Sequence, residues 1–174
     1  MFVKSLRYAI STLVAAMALI GTPAFAQPPA AKDALVKDVT TLSEKYTGLA
    51  RVMAGKYDWR PGAGVRSAGD VFNLIVSENS MLAGVLTGAG GGMDGGKAIT
   101  DPAALQEALR ASYEKVRQAL AGLSPADLNA SVTLFGQKTT KQGATLMLLF
   151  DQHEHLGQSI AYARSNGVVP PWSK

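Results

Sequence analysis

An all-α bundle of four long helices, forming one domain behind a cleaved leader, is the fold this sequence predicts. Three observations carry that expectation. Apolar residues recur at three- and four-residue steps in four separate stretches, the spacing of one helix face. Clusters of proline and glycine separate those stretches. Four long helices with short joins fit a bundle.

The leader comes first. Met1 to Arg7 carries Lys4 and Arg7 and no acid, and an apolar run extends from Tyr8 to Gly21. Pro23-Ala24-Phe25-Ala26 supplies small residues at the two positions cleavage needs, completing the layout of a secretory signal peptide cut after Ala26. The run is shorter than the ~20 apolar residues of a membrane-spanning helix, so no stable membrane insertion is expected after cleavage. The mature chain is expected in the periplasm or outside the cell. Residues 27–174 then form the single domain, a comfortable size for one core.

A first helix is expected from about Ala31 to Ala54, with Leu35, Val39, Leu42, Tyr46, Leu49 and Met53 on its stripe. Tyr57 to Gly64 is too rich in proline and glycine for a helix and reads as an ordered loop. Ser67 with Asp70 three residues on resembles a capping box and starts a second helix to about Thr87. Gly88 to Gly96 holds six glycines and reads as a flexible linker. Asp101-Pro102 opens a third helix, with proline in the tolerated first turn; Leu105, Leu109, Tyr113, Val116 and Leu120 form its stripe. Pro125 to Asn129 suggests one short helical turn, and Ser131 to Phe135 a short extended piece. A last helix covers about Lys141 to Arg164 and stops at Asn166-Gly167.

Composition narrows the function classes. There is no cysteine, which excludes disulfides, thiolate ligands and a cysteine nucleophile. Without the leader's Lys4 and Arg7, 15 basic side chains face 13 acidic ones. That balance, with no basic stripe, argues against nucleic acid as a partner. The glycine run lacks the Gly-Lys-Ser/Thr ending of a phosphate loop and follows a helix rather than a strand. Ser67 reads as a cap rather than a nucleophile, and Met81 and Met147 as core fillers.

On the last helix, Ala144, Met147, Leu148, Asp151, His155, Gln158 and Tyr162 fall on one stripe. On the second, Val71, Leu74, Glu78, Met81, Leu82 and Val85 do the same. Both stripes are mainly apolar, so both are expected to face the core. An ionised Glu78 there is costly unless paired. Glu78, Asp151 and His155 are therefore expected to meet. His153, two residues from His155, points away from that face.

Three stretches resemble the DinB-like (DinB/YfiT) superfamily. They are Tyr57-Asp58-Trp59-Arg60-Pro61 with Gly64-Val65-Arg66-Ser67, then Val71-Phe72-Asn73-Leu74-Ile75, then His155-Leu156-Gly157-Gln158 through Tyr162 to Pro171. The resemblance implies a four-helix bundle holding a divalent metal with three histidines. One lies on the second helix and two lie four apart on the last, before the Gly-Gln pair. It also implies activities such as metal-dependent transfer with small thiols, or hydrolysis. This chain departs from the pattern. Leu74 occupies the usual second-helix histidine position and Asp151 the first of the last-helix pair; only His155 matches. By the same resemblance Trp59 and Arg60, with Tyr162, are candidates for a pocket at the bundle mouth. The alternative is that Trp59 packs over helix ends with Arg60 stacked on it.

Two readings of Glu78, Asp151 and His155 follow. In one they form a remodelled site for a weakly bound divalent ion such as zinc, manganese, iron or nickel. In the other no metal binds and the cluster only satisfies polar groups in the core. Two replaced ligands favour the second. The expected function is then an exported DinB-like domain acting as a non-catalytic binding or structural module. The alternatives are a metal-dependent hydrolase or transferase, and a protein holding a small apolar molecule between its helices. A homodimer, with the Pro170-Pro171-Trp172 tail docked on a neighbour, is also open.

Overall fold

The computed structural model describes residues 31–93 and 96–173. The expected leader, with its expected cleavage after Ala26, lies outside the described residues. Helix α1 spans Ala31–Val52, α2 Ala68–Thr87, α3 Pro102–Ala121, the short α4 Pro125–Leu128 and α5 Lys141–Ser165. Strands β1 (Ser131–Leu134) and β2 (Gln137–Thr140) stand between α4 and α5. Among these residues no helix is long and apolar enough to cross a membrane.

Helices α2 to α5 start where their capping chemistry says they should. Ser67 and Asp70 form a reciprocal capping box at α2, and Ser124 and Asp127 form a second at α4. The Asp101 side chain accepts from the Ala104 amide at α3, and Thr140 accepts from Gly143 at α5. The stripe residues of α1 and α3 are buried as expected.

Helices α1 and α2 both pack against α3 and α5, so α1 and α2 face each other across the bundle axis. Tyr46 bridges that axis, with its ring edge-on to Phe72 and stacked on Tyr113. Named contacts fix the directions. Lys141 Nζ donates to the Leu86 carbonyl at one end, and the Tyr162 hydroxyl to the Arg66 carbonyl at the other, so α5 runs antiparallel to α2. Lys32 Nζ donates to the Leu123 carbonyl, so α1 runs antiparallel to α3. Asn73 near the start of α2 meets Ile99 just before α3, and Asn79 at mid-α2 meets Ser112 at mid-α3, so α2 and α3 are parallel and the segment joining them must travel back along the bundle.

That segment is not the plain linker its glycines suggest. The Gly90 carbonyl oxygen lies where a Cβ on Gly84 of α2 would sit, 1.9 Å away. Further on, the Asn73 side chain accepts from the Ile99 amide and donates to the Ile99 carbonyl, at 2.8 and 3.1 Å. Glycine is needed here so that backbone can lie against backbone. The bundle thus has one long crossover, a recognised variant of the architecture.

Other expectations change in detail. The extended piece at Ser131 pairs antiparallel with an unexpected second strand, Leu134 opposite Gln137. Phe135 (φ 50°) and Gly136 (φ 77°) join them, both left-handed as a two-residue hairpin turn requires. Met81 is buried, but Met147 is 38% exposed. Its edge of the α5 stripe turns out of the core. The tail lies on its own α1: a Cβ on Gly48 would touch Pro171 at 3.4 Å, and Lys45 Nζ sits 5.7 Å above the Trp172 ring.

Candidate metal centre

The capping box at Ser67 sets the phase of α2 and so turns Glu78 inward, where it is only 4% exposed. One turn of α5 separates Asp151 from His155, which places both on the face opposite Glu78. The three residues each offer a ligand atom, and all three atoms lie within 4.8 Å of one another. His155 Nε2 stands 3.6 Å from Asp151 Oδ2. Their side chains are 17% and 46% exposed, so the cluster is closed on the Glu78 side and open on the Asp151 side.

Glu78 is the strained member. Burial, then its hydrogen bond and charge contact with Asp151, push its carboxyl up to about 8. A hydrogen bond from Gln152 and the Arg66 charge oppose that rise. Its Oε2 is buried without a hydrogen-bond partner among the described residues. A lone buried carboxylate oxygen costs free energy until a proton or cation meets it.

The His155 ring is held by a chain of hydrogen bonds whose direction can be derived from its far end. The Arg66 carbonyl can only accept, so the Tyr162 hydroxyl donates to it at 3.3 Å. The hydroxyl must then accept from Gln158 Nε2, at 2.8 Å. That orientation turns Gln158 Oε1 to His155 Nδ1, 2.9 Å away. Nδ1 therefore carries the hydrogen, and neutral His155 presents a bare Nε2 lone pair toward the two carboxylates.

The remaining expected residues fall as follows. Leu74 lies one turn before Glu78, half-buried, and offers no donor. His153 turns away, as its spacing implies, and meets Asp38 of α1 at 2.9 Å. Trp59 is half-buried and packs edge-on against Tyr162, with ring centroids 5.1 Å apart. Arg60 does not stack on it. Its Nη2 lies 3.7 Å from Asp70 Oδ2, and hydrogen bonds from the Ser67 amide and hydroxyl lower the Asp70 carboxyl below its ordinary value.

A second buried polar group sits directly behind Glu78, and its role escaped the sequence reading. Gln152 accepts from the Tyr113 hydroxyl and donates to Asn79, each at 3.0 Å, and its backbone carbonyl accepts from the Tyr46 hydroxyl at 2.6 Å. Asn79 in turn donates to Ser112 at 3.0 Å. Burial foremost raises both tyrosines, so both remain donors at ordinary pH. Four helices meet in this network, which braces the α2–α5 pair that carries the site.

The donor set fits a divalent metal. Two carboxylates and one imidazole suit manganese, iron or zinc, the Glu78 carboxyl keeps one buried oxygen without a partner among the described residues, and the Nε2 lone pair is preset.

No curated protein matches the chain. Among solved structures it is similar to a DinB-like protein from Bacillus cereus ATCC 10987, with a TM-score of 0.69 and 18% identity over 82% of this chain and 97% of that one. It is also similar to a DinB-like protein from Bacillus subtilis, with a TM-score of 0.66 and 18% identity over 77% of this chain and 92% of that one. At such identity the likeness speaks for the fold alone. A model of the DinB superfamily matches residues 48–159, more than half of the sequence and including all three candidate ligands. The chain belongs to the DinB superfamily.

Proposed function

We propose that this domain binds one divalent metal ion through Glu78, Asp151 and His155, and that it works as a metal-dependent hydrolase or transferase after export. The observation that carries the reading is the buried, partnerless Glu78 oxygen in a cluster whose ligand atoms lie within 4.8 Å of one another. A bound ion supplies Lewis acidity and lowers the pKa of coordinated water. Glu78 anchors from the dry side, His155 is aimed by Gln158, and half-exposed Asp151 leaves the centre open to solvent on its own side. Export is supported by the charged, apolar and small-residue pattern of residues 1–26.

The test is metal content by elemental mass spectrometry on mature protein purified without a histidine tag or chelator. We expect close to one equivalent of a transition metal, lost in both His155→Ala and Glu78→Gln. No metal, even after incubation with zinc, manganese, iron and nickel, would sink the reading. It would leave the second one, a non-catalytic module in which a proton held by Glu78 beside Asp151 satisfies the cluster. The raised Glu78 carboxyl favours that second reading.

A further inference from the structure

A groove of about 310 Å³ runs along α2 beside the candidate centre, between that helix and the returning crossover. Its lining includes Leu74, Val76, Ser77, Ile99 and two cationic residues, Arg66 and Lys97. We propose that this groove is the subsite for a small organic acid, whose carboxylate or phosphoryl group is held by Arg66 and Lys97. The apolar body of that molecule lies over Leu74, and its reacting end points to the Glu78–Asp151–His155 cluster. The orientation rests on the metal-centre reading; the anion subsite does not.

Several observations converge on it. The volume falls at the low end of the ~300–1,000 Å³ typical of small-molecule sites. Among the described residues neither Arg66 nor Lys97 makes an ion pair. One acid, Asp70, also lines the groove, but it is already engaged by the Ser67 amide at 2.9 Å and by Arg60 at 3.7 Å. The wall carrying Lys97 is held in place, because Ile99, two residues on, is clamped both ways by Asn73. The groove does not include the three ligands, but it comes within one helical turn of Glu78. Leu74 lines it one turn from Glu78, and Arg66 exerts its charge on both Asp70 and Glu78.

Arg66 belongs to two systems at once. Its backbone carbonyl ends the hydrogen-bond chain that orients His155, and its side chain lines the groove. Leu74 gains a role on the same view. A histidine there would add a metal ligand; leucine instead gives the groove an apolar wall beside the reactive cluster.

The test uses metal-free mature protein, so that its outcome does not depend on metal loading. Phenylphosphonate, benzoate and the neutral control benzamide are titrated by calorimetry, and the site is mapped by amide chemical shifts. We expect binding of at least one anion, no measurable binding of benzamide, and shifts at Leu74, Ser77 and Ile99. Arg66→Gln and Lys97→Gln should each weaken the anion by about tenfold, the scale of one lost charge-assisted hydrogen bond. Preference for phenylphosphonate assigns phosphoryl compounds as the substrate class, and preference for benzoate assigns carboxylates. Benzamide binding as well as benzoate, unchanged anion affinity in the doubly substituted protein, or no anion binding would each overturn the proposal. Metal content, measured separately, tells such a failure from failure of the metal centre.

Discussion

Gln158 Oε1 accepts from His155 Nδ1 at 2.9 Å, and this bond decides which imidazole nitrogen faces the carboxylates. Gln158→Leu keeps a side chain of similar size but removes the acceptor. We expect divalent-metal affinity to fall by about 10- to 100-fold, the usual cost of losing such a partner. Competition against a chromophoric chelator measures it. The same variant should change the tautomer of metal-free His155, read from its ring ¹⁵N shifts. Unaltered shifts and unaltered affinity together would mean that Gln158 does not orient the ring.

Glu78 gives the metal-free protein a pH dependence of definite sign. Folding raises its carboxyl from 4.5 to about 8, so between those values the native state holds more protons than the unfolded chain. Stability should therefore be highest at the acid end of that window and fall as pH rises toward 8, by up to a few kcal/mol. Thermal melts in chelator at about pH 5 and about pH 8 measure the slope. Glu78→Gln should flatten it and raise Tm at the higher pH. Metal affinity should move the other way, growing with pH because binding displaces the proton. A wild-type slope that persists unchanged in Glu78→Gln assigns it to other groups.

Gln152 connects three side chains that have little alternative, since Tyr113 and Asn79 are each about 1% exposed. Gln152→Leu fills the same space and leaves the Tyr113 hydroxyl and the Asn79 carbonyl oxygen unmet. We expect a loss of about 2–4 kcal/mol, read as a shift in the urea midpoint. Adding Asn79→Leu should recover part of it, because removing both members of a buried pair costs less than stranding one. A double variant no more stable than Gln152→Leu alone would contradict that account.

The helices and the three-residue cluster were legible in the sequence, while the supports around the cluster were not. Leu35, Val39, Leu42 and Tyr46 repeat with the helical period, and period is a local property. Glu78, Asp151 and His155 were placed together because each interrupts an apolar stripe at a helical step. Gln152 and Asn79 interrupt the core just as deeply, but no spacing rule links a glutamine on α5 to an asparagine on α2 seventy-three positions earlier. Gln158 and Tyr162 fell on the α5 stripe, yet their use emerges only once the Arg66 carbonyl supplies the terminal acceptor. The crossover was hidden for another reason. Glycine permits both a loose linker and a close approach, and only the parallel setting of α2 and α3 selects the second. Strand β2, Gln137–Thr140, is polar and at most half-buried, so it has no apolar alternation to betray it.

The crossover makes opposite forecasts for one substitution at two helical glycines. Glycine inside a helix is worse than alanine by roughly 0.5–1 kcal/mol. At Gly157 of α5 a Cβ would meet nothing within 4 Å, so Gly157→Ala should stabilise by about that amount. At Gly84 of α2 the Cβ would sit 1.9 Å from the Gly90 carbonyl oxygen, a backbone atom that cannot step aside without moving the crossover. Overpacking of this kind costs about 1–3 kcal/mol and outweighs the helical gain. Gly84→Ala should therefore destabilise, and should speed amide exchange at Ile99, whose N–H is held by Asn73. Thermal melts of the two variants side by side measure the difference. If both gain stability alike, the crossover does not lie against α2 in solution, and the groove bounded by the two would lose a wall.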